Sequence, residues 1–252
     1  MRARCRQRTR ADERTAEGSS QGTAPAAGIA VMDYFAQTAA LLAGLFPKLV
    51  AGFLVTLGIA AAAVPLALLF GLLLLAPRMD RRAFICTPTI GFIELMRNTP
   101  LLVQIYLIYF GLPMLGFYPS EFACGVAGIA LQHGTFLVET YRGAIESISR
   151  RQWDAARAIG MGRFKAFRHV ILPQAILKIL GPLGNQVIVL TKDTSLVSAI
   201  GVMELTMTGK MAIERSAVSA EIFVAVALFY LVLTTALGGA ARLIEHRAAG
   251  RH

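Results

Sequence analysis

Charge is what this sequence has least of. Asp, Glu, Lys and Arg make up 16% of its 252 residues, against about 25% in an ordinary soluble domain. Residues 49–77 hold no charged side chain at all. A chain so poor in charge has too little polar surface for a water-soluble globule, and its long uncharged runs suit a lipid bilayer. Cysteine is nearly as scarce. Cys5, Cys86 and Cys124 fit neither a zinc-ligand spacing nor a disulfide framework, so no metal site is expected and the last two read as small packing residues. A phosphate-binding loop is also missing: Gly209-Lys210 is followed by Met211, and Glu204 stands where its first glycine would be required. No Ser/His/Asp or His/Cys set converges. The chain therefore reads as no enzyme, with no catalytic residue and no cofactor of its own.

What charge there is leans basic, with 25 Lys and Arg against 15 Asp and Glu. No aromatic-basic array suggests a base-stacking surface for nucleic acid, and cytoplasmic loops of a membrane protein account for the excess. Six arginines fall within residues 1–14, followed by Ser, Gly, Gln and Ala. Residues 1–31 read as a disordered basic extension, and "MDYFAQTAALLAG" suggests Met32 as the native start. Residues 32–252 then form the membrane domain.

A crossing helix takes about 20 apolar residues. Five segments qualify: 49–77, kinked near Pro65; 83–112; 122–138; 176–200, interrupted at Gly181-Pro182 and Lys192-Asp193; and 222–241. Residues 33–47 suit an amphipathic helix lying at the interface. With five spans, the basic stretches 77–82, 141–175 and the tail after Arg242 share one side, and the positive-inside bias makes that side, and the C-terminus, cytoplasmic. The loops around 114–121 and 201–221 are then external.

The cytoplasmic stretch "RQWDAARAIGMGRFKAFRHVILPQA" (151–175) is the most informative part. Gln152–Ile159 favours helix, Gly160 suits a left-handed C-terminal cap, and Gly162 adds a second break. Phe164, Phe167, Val170 and Ile171 then make one apolar stripe on a second helix, until Pro173 limits it. Trp153, Ala155 and Ala156 on an exposed helix suit docking to a partner; a solvated, membrane-hugging loop is the alternative.

Polar residues inside spans mark a pathway or a structural pair. Glu94 and Arg97, three apart, suit an ion pair. Thr99-Pro100 interrupts the second span and frees carbonyls for a polar substrate, with Gln104 one turn on; an ordinary proline kink is the alternative. His133 reads as a hydrogen-bonded packing residue or a ligand. Asp193 and Thr194 lie deep in the fourth span, and Asp193 needs a partner: a zwitterionic substrate, or an opposing subunit.

The loop resembles the signature of ABC importer permeases, EAA–x3–G–x9–I–x–L–P. Asp154-Ala155-Ala156, Gly160, Val170 and Leu172-Pro173 take its places in register, with Asp for Glu and Val for Ile. "ETYRGAIESI" (139–148), "MRNTPLLVQIYLIYFGLP" (96–113) and "LTKDTSLVSAIGVMEL" (190–205) resemble segments of the polar-amino-acid branch, the histidine, glutamate, glutamine, arginine and opine group. Asn98 replaces a glycine there and Arg151 another. The resemblance covers about residues 47–245. It implies an all-α integral membrane protein of the type I importer permease kind, with five transmembrane helices, an N-terminal interfacial helix and a cytoplasmic coupling helix. It implies a bacterial inner-membrane location and uptake of a polar amino acid. A cytoplasmic ATPase dimer carrying ATP and Mg would engage Gln152, Trp153, Asp154, Ala155, Ala156 and Gly160, with Arg142 fixing the loop's base. A second permease subunit and an external substrate-binding protein complete the expected assembly, and Thr99, Pro100, Gln104, His133, Asp193 and Thr194 are the candidate pathway. A channel or ion-coupled carrier would explain the buried charges but not the Asp154–Pro173 spacing.

Overall fold

The computed structural model describes residues 24–216, 218 and 220–249, with side chains from residue 36 to 248 within those limits. Cys5 and the arginines of residues 1–14 lie outside the described residues. The described residues up to Pro47 belong to one unit and those from Lys48 onward to a second.

Every described element is helical. α1 (Ala24–Arg78) is 55 residues long. It starts inside the segment expected to be unstructured, because "APAAGIAVM" is rich in helix formers and Pro25 sits in the first turn, where its missing N–H is not needed. α1 also runs through Pro65 without a break. The next expected span is instead two short helices, α2 (Ala83–Asn98) and α3 (Leu101–Met114). α4 (Glu121–Glu146) follows, opened by Ser120, whose Oγ accepts the Ala123 N–H at 3.2 Å. The charged stretch after α4 forms α5 (Arg150–Ala158) and α6 (Arg163–Ala166), then a π-helical turn at Phe167–Ile171 that leads into α7 (Leu172–Asp193). A 3-10 segment, Thr194–Ile200, extends α7. Then come α8 (Leu205–Ser216) and α9 (Ala220–Ala249).

Three described helices are long and apolar enough to cross a bilayer: Ala36–Arg78, Glu121–Glu146 and Ala220–Ala248. A fourth crossing is available from Arg163–Ile200 with Leu205–Ser216, bent by 48°. The external loop expected at 201–221 is therefore largely α8, folded into the bundle with Leu205 fully buried. Gly181-Pro182 does not interrupt α7 either: the proline removes one hydrogen bond, and the helix continues past it.

Large apolar residues cover the outside, among them Leu69, Leu73, Leu228 and Val232, while Thr56, His133, Thr191 and Glu204 are buried. That inversion is expected where lipid is the solvent. Small residues set the helix crossings. A Cβ on Gly134 of α4 would stand 2.6 Å from the Phe70 ring, and one on Gly71 of α1 would stand 3.0 Å from the Gly134 carbonyl. The two helices meet backbone to backbone at these glycines, beside the buried Ala63 and Ala67.

Candidate coupling loop and mid-membrane polar cluster

Local chemistry builds the loop between α4 and α7. The Ser149 Oγ accepts the Arg151 N–H at 3.3 Å and starts α5. Gly160 ends it in the left-handed region, φ +81. Its N–H bonds the Arg157 carbonyl at 2.9 Å, and the Met161 N–H reaches the Ala156 carbonyl at 3.0 Å, the Schellman pattern for which glycine is favoured. Ahead of Pro173, the Leu172 N–H bonds back to the Phe167 carbonyl. This wider turn absorbs the clash a proline ring makes with the carbonyl four residues before it.

The loop is fastened to the membrane bundle. The Trp153 ring stacks on Phe167, centroids 6.4 Å apart and planes at 22°. Ile148, Ile171 and Ala175 form the buried floor beneath them. The Lys178 Nζ donates to the Ser147 carbonyl at 3.0 Å. Two sequence expectations change here. Trp153 is half-buried against its own loop rather than offered to a partner, and Ala156 is 3% exposed. A helix only nine residues long presents few positions, and these two face inward. Of the expected apolar stripe, Phe164 is 74% exposed, whereas Phe167 and Val170 are half-buried and Ile171, with Ala166, is fully buried. The outward face of α5 holds Gln152, Ala155 and Ile159, the last 73% exposed. Ile159 carried no sequence signal beyond its place beside Gly160. Asp154 is exposed and lines a cavity with Arg150 and Arg157.

Arg142 acts one step away from the loop. Its guanidinium bonds Glu139 at 2.7 Å and Glu146 at 2.5 Å, and Glu139 also accepts from Arg78 at 2.8 Å. This chain of charges ties the end of α1 to α4.

At the break between α2 and α3, Pro100 holds Thr99 extended, φ −94 and ψ 131. The carbonyls freed at this break are not left open. Gln104, 5% exposed, donates its amide to Met96 O at 2.6 Å and to Thr99 O at 3.1 Å. The Thr99 hydroxyl donates to Leu95 O at 2.7 Å. Gln104 Oε1 stays buried with no hydrogen-bond partner. Glu94 and Arg97 do not pair; Arg97 lies over the Phe136 ring at 5.0 Å, and Glu94 is exposed.

His133 and Asp193, sixty residues apart, come together. His133 is 2% exposed; its Nε2 lies 3.0 Å from Asp193 Oδ2, and its Nδ1 lies 2.7 Å from the Gln186 amide. If the Gln186 N–H donates to Nδ1, then Nε2–H donates to the Asp193 carboxylate and both ring nitrogens are satisfied. Asp193 thus finds its partner within the chain. Its side chain keeps 35% exposure, whereas the Thr194 hydroxyl is buried and donates to Thr191 O at 2.7 Å. No hydrogen bond joins this group to the Thr99–Gln104 group among the described residues.

Sequence reasoning missed Glu204, taken there for a loop charge. It is fully buried. Its carboxylate accepts the Thr206 and Met207 N–H groups at 2.8 and 2.7 Å, capping α8, and the Tyr230 hydroxyl at 3.0 Å. The Thr56 hydroxyl in turn accepts the Leu205 N–H at 3.2 Å. Only its position just before the amphipathic "LTMTGKM" hinted at an N-cap.

Comparisons with known proteins agree with this architecture. The chain is 42% identical over 158 residues to the glutamine transport system permease protein GlnP of Escherichia coli K12, covering 62% of this chain and 72% of that protein. It is 33% identical over 214 residues to the nopaline transport system permease protein NocM of Agrobacterium fabrum C58, covering 79% and 87%. The crystal structure of an amino acid ABC transporter with histidines superposes with a TM-score of 0.78 at 33% identity, over 82% of this chain and 96% of that one. Residues 36–250 match the family of binding-protein-dependent transport system inner membrane components; the chain belongs to that family and is a multi-pass inner-membrane permease of an ABC importer.

Proposed function

We propose that this permease carries a polar amino acid or an opine-like derivative into the cytoplasm, driven by a separate ATPase dimer that binds ATP and Mg. The relatives named for glutamine and nopaline transport support that solute class. The observation that carries the mechanism is the two-sided build of α5. Its inner face is clamped by the Trp153–Phe167 stack and the Ile148, Ile171 and Ala175 floor, while Gln152, Ala155 and Ile159 face out. A helix fixed on one side and free on the other passes a displacement on to α4 and α7 as a rigid body. The outward face is the seat for the ATPase groove, with Gly160 setting its end. Arg142 steadies the α1–α4 base.

A second permease subunit, the same chain or a paralogue, closes the pathway; a substrate-binding protein delivers from the outside, and the C-terminus faces the cytoplasm. The solute passes the Thr99-Pro100 break with Gln104, and the His133–Asp193 pair with Thr194. Asp193 is the polar contact of this set, since its carboxylate is part-exposed while His133 and Thr194 are buried.

Uptake of radiolabelled glutamine and other polar amino acids, measured in proteoliposomes with the ATPase and binding protein, tests the assignment. Ile159→Asp should insert normally, lose ATPase co-purification and lose ATP-dependent uptake. Full uptake by that variant at normal expression would refute α5 as the coupling element.

A further inference from the structure

We infer that the cytoplasmic base of this permease holds the headgroup of an anionic phospholipid. A cavity of about 1020 Å³ opens between the Met79–Arg81 turn, the end of α4 and the inner side of α5. Four arginines line it: Arg81, Arg150, Arg157 and Arg163. None of their guanidinium groups is engaged by an ion pair, hydrogen bond or ring among the described residues. Only two carboxylates share the lining, Asp154 and Glu146, and Glu146 is already held by Arg142. The cavity is net positive even when both acids are counted.

Three observations favour a lipid over a free anion. First, an apolar annex of about 430 Å³ adjoins the arginines, formed by Met79, Ile145, Trp153, Phe164 and Phe167. A free phosphate has no use for it, whereas the glycerol and upper acyl region of a lipid fits it. Second, the cavity lies where two membrane-long helices end, at Arg78 and Glu146, which is headgroup level. Third, the surrounding loops are the basic ones, on the side where anionic lipids meet basic pockets between helices. Arginine forks also suit phosphate oxygens. Phe164, exposed and off its expected stripe, is then a lipid contact. The site stands whichever solute is carried, since it rests on the membrane setting alone.

Native mass spectrometry of the delipidated full chain in detergent tests this, titrated with dioleoyl-phosphatidylglycerol, with dioleoyl-phosphatidylethanolamine, or with glycerol 3-phosphate. The wild-type chain should hold phosphatidylglycerol about tenfold more tightly than the other two. Arg150→Gln/Arg163→Gln should lose about that preference, and Arg151→Gln/Arg168→Gln, the same charge change away from the cavity, should keep it. Should the first pair fail to fold, judged by its thermal midpoint, Arg81→Gln alone serves and should weaken phosphatidylglycerol selectively. Equal loss in both pairs, equal binding of phosphatidylethanolamine, or glycerol 3-phosphate as strong as the lipid would each overturn the inference.

Discussion

The α5–α6 loop and the polar clusters inside the helix bundle both interrupt an apolar chain with polar residues, and they treat those residues in opposite ways. Inside the bundle, the buried ionisable groups close on partners: His133 on Asp193 and Gln186, Glu204 on Tyr230 and two backbone N–H groups. Between the end of α4 and α5, Arg81, Arg150, Arg157 and Arg163 line a cavity without any ion pair among the described residues. The cause is the medium. A buried polar group in an apolar surround suffers the full desolvation cost if left unpaired, while a guanidinium at the interface stays solvated and available. Paired groups therefore hold the bundle, and unpaired ones are free to meet partners.

Breaking the paired side should do the most damage. Glu204→Leu orphans the Thr206 and Met207 N–H groups, roughly 1–3 kcal/mol for each, and leaves the Tyr230 hydroxyl only its bond to the Thr206 hydroxyl. The expected outcome is a large drop in thermal midpoint in detergent, with Glu204→Gln much milder because it keeps an acceptor. A leucine variant as stable as wild type would show that α8 is held by something else.

Asp193→Asn sharpens the comparison, since it keeps an acceptor for His133 but removes the charge. Uptake should fall roughly tenfold, about the worth of one charge-assisted hydrogen bond, with a small change in midpoint. Unchanged uptake kinetics would remove Asp193 from the pathway. Gly160→Val acts on the loop alone. A β-branched residue at φ +81 costs about 1–2 kcal/mol, so α5 should fray at its end. Pull-down should recover less ATPase from membranes with normal permease content.

Glu94→Gln should have the smallest effect, within about 0.5 kcal/mol by thermal unfolding, as for an exposed residue without a partner. A fall well beyond that would restore the expected Glu94–Arg97 pair.

Much of this was readable in order along the chain. The uncharged run 49–77 marked a membrane helix. Gly160 marked the end of α5, because a positive φ is a local requirement that one residue type meets. The pairs formed by distant residues were not readable. Nothing near Asp193 names His133, and nothing near Glu204 names Tyr230. Trp153 and Ala156 were read as outward-facing for the same reason: a short helix has no periodicity long enough to reveal which side is clamped.

The sequence by itself determined the solvent this protein lives in, the bounds of its charged loop and the family it belongs to, since apolar runs and motif spacing are properties of adjacent residues. Only the tertiary structure decided that Gln104 closes the break at Pro100, that Glu204 belongs to the core, and that α5 turns Ile159 outward and four arginines toward a cavity. Those outcomes depend on which helices pack together, and hydrogen bonds across helices satisfy polar groups that no local pattern pairs.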